Sequence, residues 1–380
     1  MRGHLYKRGS SWTVVYDEGA DGRRRQRSKG GFATRRAAQT FLTNTLSRLA
    51  AGSYAAPTKT TVAEFLSNAW LPSIRSSVRE GTFESYRRNV RVHIIPQLGD
   101  VPLQQLAAPR LNSFYGDLLA GAHRQALSPR TVRYIHTILR RALQAAVRWG
   151  LVTRNVADLA DPPSPKAAMP KPTKTWTADE LGRFLAAVRG DRLYPLWLAL
   201  ASTGMRRGEA LGGYWADLDL DAGRWQVRHT LVAIGHELRD STPKTDHGRR
   251  SVALDAGTVR VLRAWRKRQL EERLAWGPAW TDSGRVFTRE DGTDLHPERA
   301  SERFNRLVRA SDVPRLTIHG LRHSHATLAL QAGIHPKVVQ ERLGHSSVAF
   351  TLDRYSHAIP AMQEDAAATV ARLVGLEDAR

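Results

Sequence analysis

The side chains able to do chemistry in this chain cluster beyond residue 200, at helix ends and turns. Ser202-Thr203-Gly204-Met205-Arg206-Arg207-Gly208-Glu209 places two arginines directly after a glycine break, with Glu209 three residues past Arg206. Thr242-Pro243-Lys244-Thr245 holds a turn-flanked lysine within Arg224–Asp255, a stretch that alternates like a sheet. His319-Gly320-Leu321-Arg322 sets a histidine and an arginine at i, i+3 on one helical face. Pro336 starts the next helix, Gly344 ends it, and His345 follows directly. Val348, Thr351, Leu352 and Tyr355 then share one face of a last helix. Arginine forks neutralise non-bridging phosphate oxygens as charge builds on them. Histidines accept or share protons near neutral pH, a lysine can protonate a departing oxygen, and a tyrosine hydroxyl can attack as a covalent nucleophile. Together these groups suit phosphoryl transfer on DNA without a metal.

Two blander uses of the same residues carry less weight. His319 and His323 stand at i, i+4, the spacing of a zinc-binding helix. Gly320, however, occupies the place of that helix's general-base glutamate, and Arg322 between the histidines would repel a cation. No metal is expected. Glu209 reads as a partner that orients an arginine rather than as a catalytic acid.

Composition narrows the partner. The 380 residues carry 58 Lys+Arg against 36 Asp+Glu, a formal charge of +22, which points to a polyanion. Zero cysteines exclude disulfides, thiolate nucleophiles and cysteine-ligated metal sites. The longest apolar run, Leu193–Ala201, is about half of the ~18–20 residues a membrane span needs. Arg2, Lys7 and Arg8 follow one another without an apolar core, so no signal peptide is expected and the location is expected to be cytoplasmic, away from membranes.

Several elements must position these groups. Residues 1–55 hold eleven Lys/Arg and three acids, net +8. Trp12–Tyr16 is β-prone, Asp21-Gly22 a hairpin-type turn, and Arg23–Lys29 a returning strand. Thr34 then opens a helix with Ala38, Phe41, Leu42, Thr45 and Leu49 on one face. Residues 60–160 read as all helical. Thr61–Glu64 forms a capping box, Pro72 bends or ends the helix that follows, and a second helix starts near Thr82. Ser128-Pro129 opens a helix with Val132, Ile135, Leu139, Ala142, Leu143 and Ala146 inside and Arg133, Arg140, Arg141 and Arg148 outside. Residues 161–175, with five prolines and three lysines, make an extended basic connector. A capping box at Thr177–Glu180 begins the last piece, residues 176–380.

The motifs resemble those of the tyrosine recombinase (phage-type integrase) family across essentially the whole chain. Thr203–Glu209 is similar to the box around that family's first catalytic arginine, which makes Arg206 the match and Arg207 the fallback. Lys244 resembles the family's β-hairpin lysine, ahead of the Arg249-Arg250-Ser251-Val252 strand; His319 and Arg322 resemble its H-x-x-R box. His345 in Leu343-Gly344-His345-Ser346 resembles the second histidine, and Tyr355 in Asp353-Arg354-Tyr355 the nucleophile. Thr82–Leu103 and Ser128–Asn155 resemble the core-binding domain, and residues 1–55 the small three-stranded arm-binding domain.

The resemblance implies a multidomain α+β fold. It comprises a small basic sheet-plus-helix domain, an all-α core-binding bundle and a mainly α catalytic domain with a small antiparallel sheet, similar to type IB topoisomerases. The last two would clamp the crossover site. It implies a site-specific recombinase that cuts and rejoins double-stranded DNA through a 3′-phosphotyrosyl link, with no cofactor. Core and arm attachment sites, a homotetramer on DNA, and an excision factor or host DNA-bending protein are the implied partners. A catalytically silent architectural DNA binder, or a relaxing or resolving enzyme with the same chemistry, is the alternative.

Overall fold

β1 (Gly3–Arg8), β2 (Ser11–Asp17) and β3 (Gln26–Phe32) form an antiparallel meander in that order, with a bulge between Trp12 and Val14. The computed structural model describes residues 3–18, 25–51, 54–169, 174–235, 237–243, 248–355 and 362–374. Alternation in β2 places Val14 and Tyr16 on one face, buried against Ala38 and Leu42 of α1 (Arg35–Ala50). Thr34 caps α1 by accepting from the Ala37 amide at 3.2 Å. The sequence pattern locates β2 and α1 and places the returning strand three residues early. It misses β1, whose residues are exposed apart from a half-buried Leu5 and so carry no apolar alternation. The Asp21-Gly22 turn lies outside the described residues.

Contacts divide the chain into two units, residues 1–170 and 171–380. In the first, the helix that contains Pro72 does not end there. Helix α2 (residues 62–74), opened by the Thr61–Glu64 capping box, widens to π geometry over Phe65–Trp70 and continues through Pro72 to Ile74. Helix α3 (residues 80–98) does the same, with a π stretch at Val90–Ile94 just before Ile95-Pro96. Proline lacks an N–H and its ring crowds the carbonyl four residues back. Pairing to the fifth residue back, as the Leu71 amide does to Leu66 O and the Ile95 amide to Val90 O, makes room for that ring.

Helices α4 (Ala108–Ala120) and α5 (Pro129–Arg148) complete the bundle. Ser128 caps α5 by accepting from the Thr131 amide at 3.2 Å, with Pro129 at its first position. Val132, Ile135, Leu139, Ala142, Leu143 and Ala146 are buried, while Arg140, Arg141 and Arg148 are exposed. The start of the connector is pinned to this bundle: Asp161 exchanges two hydrogen bonds with Asn112, and Arg133 Nη1 donates to Pro163 O at 2.9 Å.

The second unit begins with α6 (Ala178–Ala187), opened by the Thr177–Glu180 capping box, followed by α7 (Tyr194–Thr203) and the short α8 (Arg207–Leu211). β4 (Leu218–Asp219), β5 (Arg224–Val227) and β8 (Arg250–Ala253) form one antiparallel sheet. β6 (Thr230–Ile234) and β7 (Glu237–Ser241) form a separate hairpin, so the single sheet expected over Arg224–Asp255 is split. β6 lies instead against the end of α8, where a Cβ on Gly212 would come 2.6 Å from the Leu231 amide nitrogen. Helices α9 (Ala256–Trp276), α10 (Pro297–Ala310), α11 (Ile318–Gln331), α12 (Pro336–Leu343), α13 (Val348–Tyr355) and α14 (Met362–Leu373) follow. Trp176, Phe184, Trp197, Trp225, Trp265, Phe287 and Phe304 fill the core of this unit. The fold is thus mainly helical with small antiparallel sheets, as expected. Among the described residues no helix is long and apolar enough to cross a membrane.

Candidate active site

The site is built on two helix ends. Helix α7 stops at Gly204, whose φ of +65° turns the chain sharply. A Cβ there would lie 2.7 Å from both His325 and Leu343, so only glycine fits the seam. Two residues later Arg206 takes the N-cap position of α8. Its amide donates to Glu209 Oε2 at 2.9 Å and its Nη1 to Glu209 Oε1 at 2.6 Å. Arg250, the first residue of β8, brings Nη2 to Glu209 Oε2 at 2.8 Å.

Glu209 therefore holds two guanidinium groups from different elements while itself only 3% exposed. Burial alone would raise its carboxyl pKa; the Arg250 charge and hydrogen bond, followed by Arg206, outweigh that and lower it. Arg207 leads elsewhere, donating to Ser301 Oγ of α10. Of the two adjacent arginines, only Arg206 joins this cluster through its side chain.

The end of α12 supplies the other anchor. Its last carbonyls have no partners within the helix. Arg342 O accepts from Arg250 Nε at 2.6 Å, Leu343 O from Arg322 Nη2 at 2.8 Å, and Gly344 O from Arg206 Nη2 at 3.3 Å. Arg322, on α11, also donates from Nη1 to Gly204 O at 2.8 Å. Burial and then the Arg206 charge lower the Arg322 pKa to about 9, which leaves it cationic at neutral pH.

Gly344, at φ +67°, turns the chain from α12 into His345. His345 Nδ1 lies 2.9 Å from Thr351 Oγ1 of α13. Burial, then Arg322 and Arg206, push its pKa down to about 3, so the ring is neutral at physiological pH. Tyr355 ends α13 with its ring parallel to that of His345, centroids 6.4 Å apart. It is 1% exposed and packs with Ala326, Leu330, Val339 and Leu343. Its hydroxyl is 2.7 Å from His323 Nδ1.

Arg206, Arg322, His345 and Tyr355 thus share one neighbourhood, and His319 reaches it indirectly. His319 is exposed, and its ring stands edge-on to the buried His323 with centroids 4.8 Å apart. Lys244 lies outside the described residues. Sequence reasoning anticipates that Glu209 orients an arginine but leaves out Arg250 and gives His323 only a metal-binding reading. The signal that could have found His323 is its place beside Arg322 and one turn after His319. Nothing in the β8 pattern marks Arg250 as a buried charge. Among the described residues no group of three His, Cys, Asp or Glu is arranged to hold a metal ion.

Comparison with known proteins covers the same segments. Residues 174–362 match the Phage integrase family, residues 4–49 the Arm DNA-binding domain, and residues 61–119 the Phage integrase N-terminal SAM-like domain. A tyrosine recombinase XerC-like protein of Caldanaerobacter subterraneus subsp. tengcongensis is 26% identical over 322 residues, spanning 80% of this chain and 81% of that protein. Among solved structures, the Tn1549 transposon integrase bound to transposon right end DNA superposes with a TM-score of 0.67 at 23% identity, over 83% of this chain and 99% of that one. A lambda integrase tetramer bound to a Holliday junction gives a TM-score of 0.56 at 18% identity, over 90% and 95% of the two chains. The structural matches establish likeness of fold; the sequence matches extend it to descent. The chain belongs to the tyrosine recombinase family.

Proposed function

We propose that the protein is the integrase of a mobile element: a site-specific recombinase that cuts and rejoins double-stranded DNA through a 3′-phosphotyrosyl link on Tyr355. The observation that carries this reading is the Tyr355 hydroxyl, 2.7 Å from an imidazole nitrogen and beside a histidine and arginines anchored on the end of α12. A phenol of ordinary pKa, ~10, is nearly all protonated at neutral pH and needs both an acceptor and nearby positive charge to attack phosphorus.

In the proposed step the Tyr355 oxygen bonds to phosphorus while the bond to the 5′ oxygen breaks. The phenolic proton passes to His323 Nδ1, and Lys244 protonates the departing oxygen. Arg206 and Arg322 hold the non-bridging oxygens, where charge builds. His319, exposed at the rim, and the neutral His345, through Nε2, complete the phosphate's hydrogen bonds. Phosphodiester energy is retained in the tyrosyl link, so attack by a 5′ hydroxyl reverses the step without a nucleotide cofactor. Tyr355 is buried, so α13 must shift outward to meet DNA; the exposure of Ala349, Phe350 and Asp353 on its outer face favours such a shift.

The basic N-terminal sheet and α1 serve as a second DNA-binding module for arm sites, which lets one protomer bridge two separated sequences. Four protomers act together on paired core sites, with an excision factor or a host DNA-bending protein setting direction. The test is a nicked core-site duplex incubated with wild type and Tyr355→Phe in the presence of a chelator. Wild type forms a covalent complex; Tyr355→Phe binds the duplex about equally and forms none. A covalent complex with Tyr355→Phe, or a strict demand for divalent metal, would overturn the reading.

A further inference from the structure

We infer that His325 and Arg342, which the proposed chemistry does not use, are positioning residues that hold the arginine cluster by tying the ends of α7 and α12 to the middle of α11. The inference rests on the function proposed above.

Four of the cluster's hydrogen bonds end on main-chain carbonyls of two helix ends. Arg342 O, Leu343 O and Gly344 O take one arginine each at the end of α12, and Gly204 O at the end of α7 takes the second fork of Arg322. These carbonyls stand at the negative ends of the helix dipoles, which suits a cation. They also make the arginines dependent on the spacing of α7 and α12. Arg322 bridges that spacing directly, with one nitrogen on each helix end. If the ends part, one of its two bonds fails.

A second bridge, set behind the first, fixes the spacing. Ala201 O and Ser202 O belong to the last turn of α7, whose carbonyls have no partners within the helix. His325 Nδ1 donates to Ala201 O at 2.9 Å. Its other nitrogen, Nε2, accepts from Arg342 Nε at 3.2 Å, while Arg342 Nη2 donates to Ser202 O at 2.8 Å. Three helices therefore meet in one closed set of bonds. The arrangement needs a neutral imidazole protonated at Nδ1. Its surroundings favour that form: loss of hydration first, then the charges of Arg342 and Arg322, lower the His325 pKa to about 4 against the opposing hydrogen bond to Ala201 O. Asp255 lies near enough to Arg342 to act on its charge. Gly204 packs against the His325 ring, so a displaced ring would disturb the carbonyl that holds Arg322.

Misplacing a catalytic group by ~1 Å can cost about 10²-fold in rate. Arg342→Met keeps the main-chain carbonyl used by Arg250 and removes both side-chain ties. It is expected to slow cleavage of nicked core DNA, at saturating protein, by about 10- to 100-fold, with core affinity within about twofold of wild type. His325→Leu should behave alike, whereas His325→Gln, which has one donor and one acceptor, should recover most of the rate. In Arg342→Met the His325 ring, followed by NMR titration, should regain protons at a higher pH because a neighbouring cation has gone. If Arg342→Met does not fold, the His325 pair carries the same comparison. Wild-type cleavage by Arg342→Met or His325→Leu, equal loss of rate and affinity, or no rescue by His325→Gln would overturn the inference. Absence of a covalent complex in wild type would instead overturn the functional reading on which it stands.

Discussion

Replacing Glu209 by glutamine tests the electrostatic frame of the site. Glu209 is 3% exposed and accepts three hydrogen bonds, from the Arg206 amide, Arg206 Nη1 and Arg250 Nη2, at 2.9, 2.6 and 2.8 Å. Glutamine preserves the shape, removes the charge and turns an acceptor into a donor facing an arginine. The Arg206 side chain is 43% exposed, so solvent replaces much of what it loses. The Arg250 side chain is 7% exposed and has no such recourse.

Removing one partner of a buried ion pair costs about 3–5 kcal/mol. Because one of the two pairs is screened, the loss should sit near the lower end, about 3 kcal/mol. With a urea slope of about 1–3 kcal/mol/M, the unfolding midpoint of the second unit should fall by roughly 1–3 M. Fluorescence of its buried Trp176, Trp197, Trp225 and Trp265 can follow this in the full chain. Cleavage should fall with it. The carboxyl pKa is lowered in the folded protein, so the stabilisation is complete above the unfolded value and disappears as pH falls through the folded one. The gap between wild type and Glu209→Gln should close in that acid range. A loss below about 1 kcal/mol at neutral pH with an unchanged slope would refute the reasoning.

Deleting residues 1–55, net +8, should weaken assembly on long DNA carrying arm sites while sparing short core-site cleavage. The salt slope of binding, read by titration at several ionic strengths, should become shallower by about 0.9 for each phosphate that the shortened chain no longer neutralises. Lys244→Ala should bind core DNA normally and cleave about 10²–10⁴-fold more slowly. A substrate with sulfur at the bridging 5′ position should recover most of that rate, since sulfur leaves without a proton. For His345, whose folded pKa is depressed to about 3, stability is full above the ordinary histidine pKa and is lost as pH falls towards the folded value. From pH 7 to 5 this group alone should cost roughly 2 kcal/mol, so His345→Asn should lose less stability over that interval by about that amount in urea melts at each pH.

Local chemistry makes part of this fold readable. Thr34, Thr61, Ser128 and Thr177 each cap the helix that the sequence assigns to them, and the apolar stripe of α5 is buried as its spacing requires. Pro72 does not end α2 because a π stretch over Phe65–Trp70 carries the helix through it, and the same happens before Pro96; helix-breaking rules alone do not distinguish such a proline from one that stops a helix. β1 is illegible because its pattern is nearly all polar or exposed. In the site, the glycine breaks at Gly204 and Gly344 and the histidine and arginine spacings locate the neighbourhood. They do not reveal that main-chain carbonyls hold the arginines, nor that His323 meets the Tyr355 hydroxyl. Both facts depend on how α7, α11, α12 and α13 pack, which no local spacing encodes.

The most direct measurement concerns the covalent link itself. Wild-type protein trapped on a nicked core duplex, digested with protease and analysed by mass spectrometry, should yield one nucleotide-bearing peptide, with the 3′ phosphate on Tyr355. Attachment at a serine, a histidine or another tyrosine such as Tyr194, or a 5′ phosphate linkage, would contradict the account.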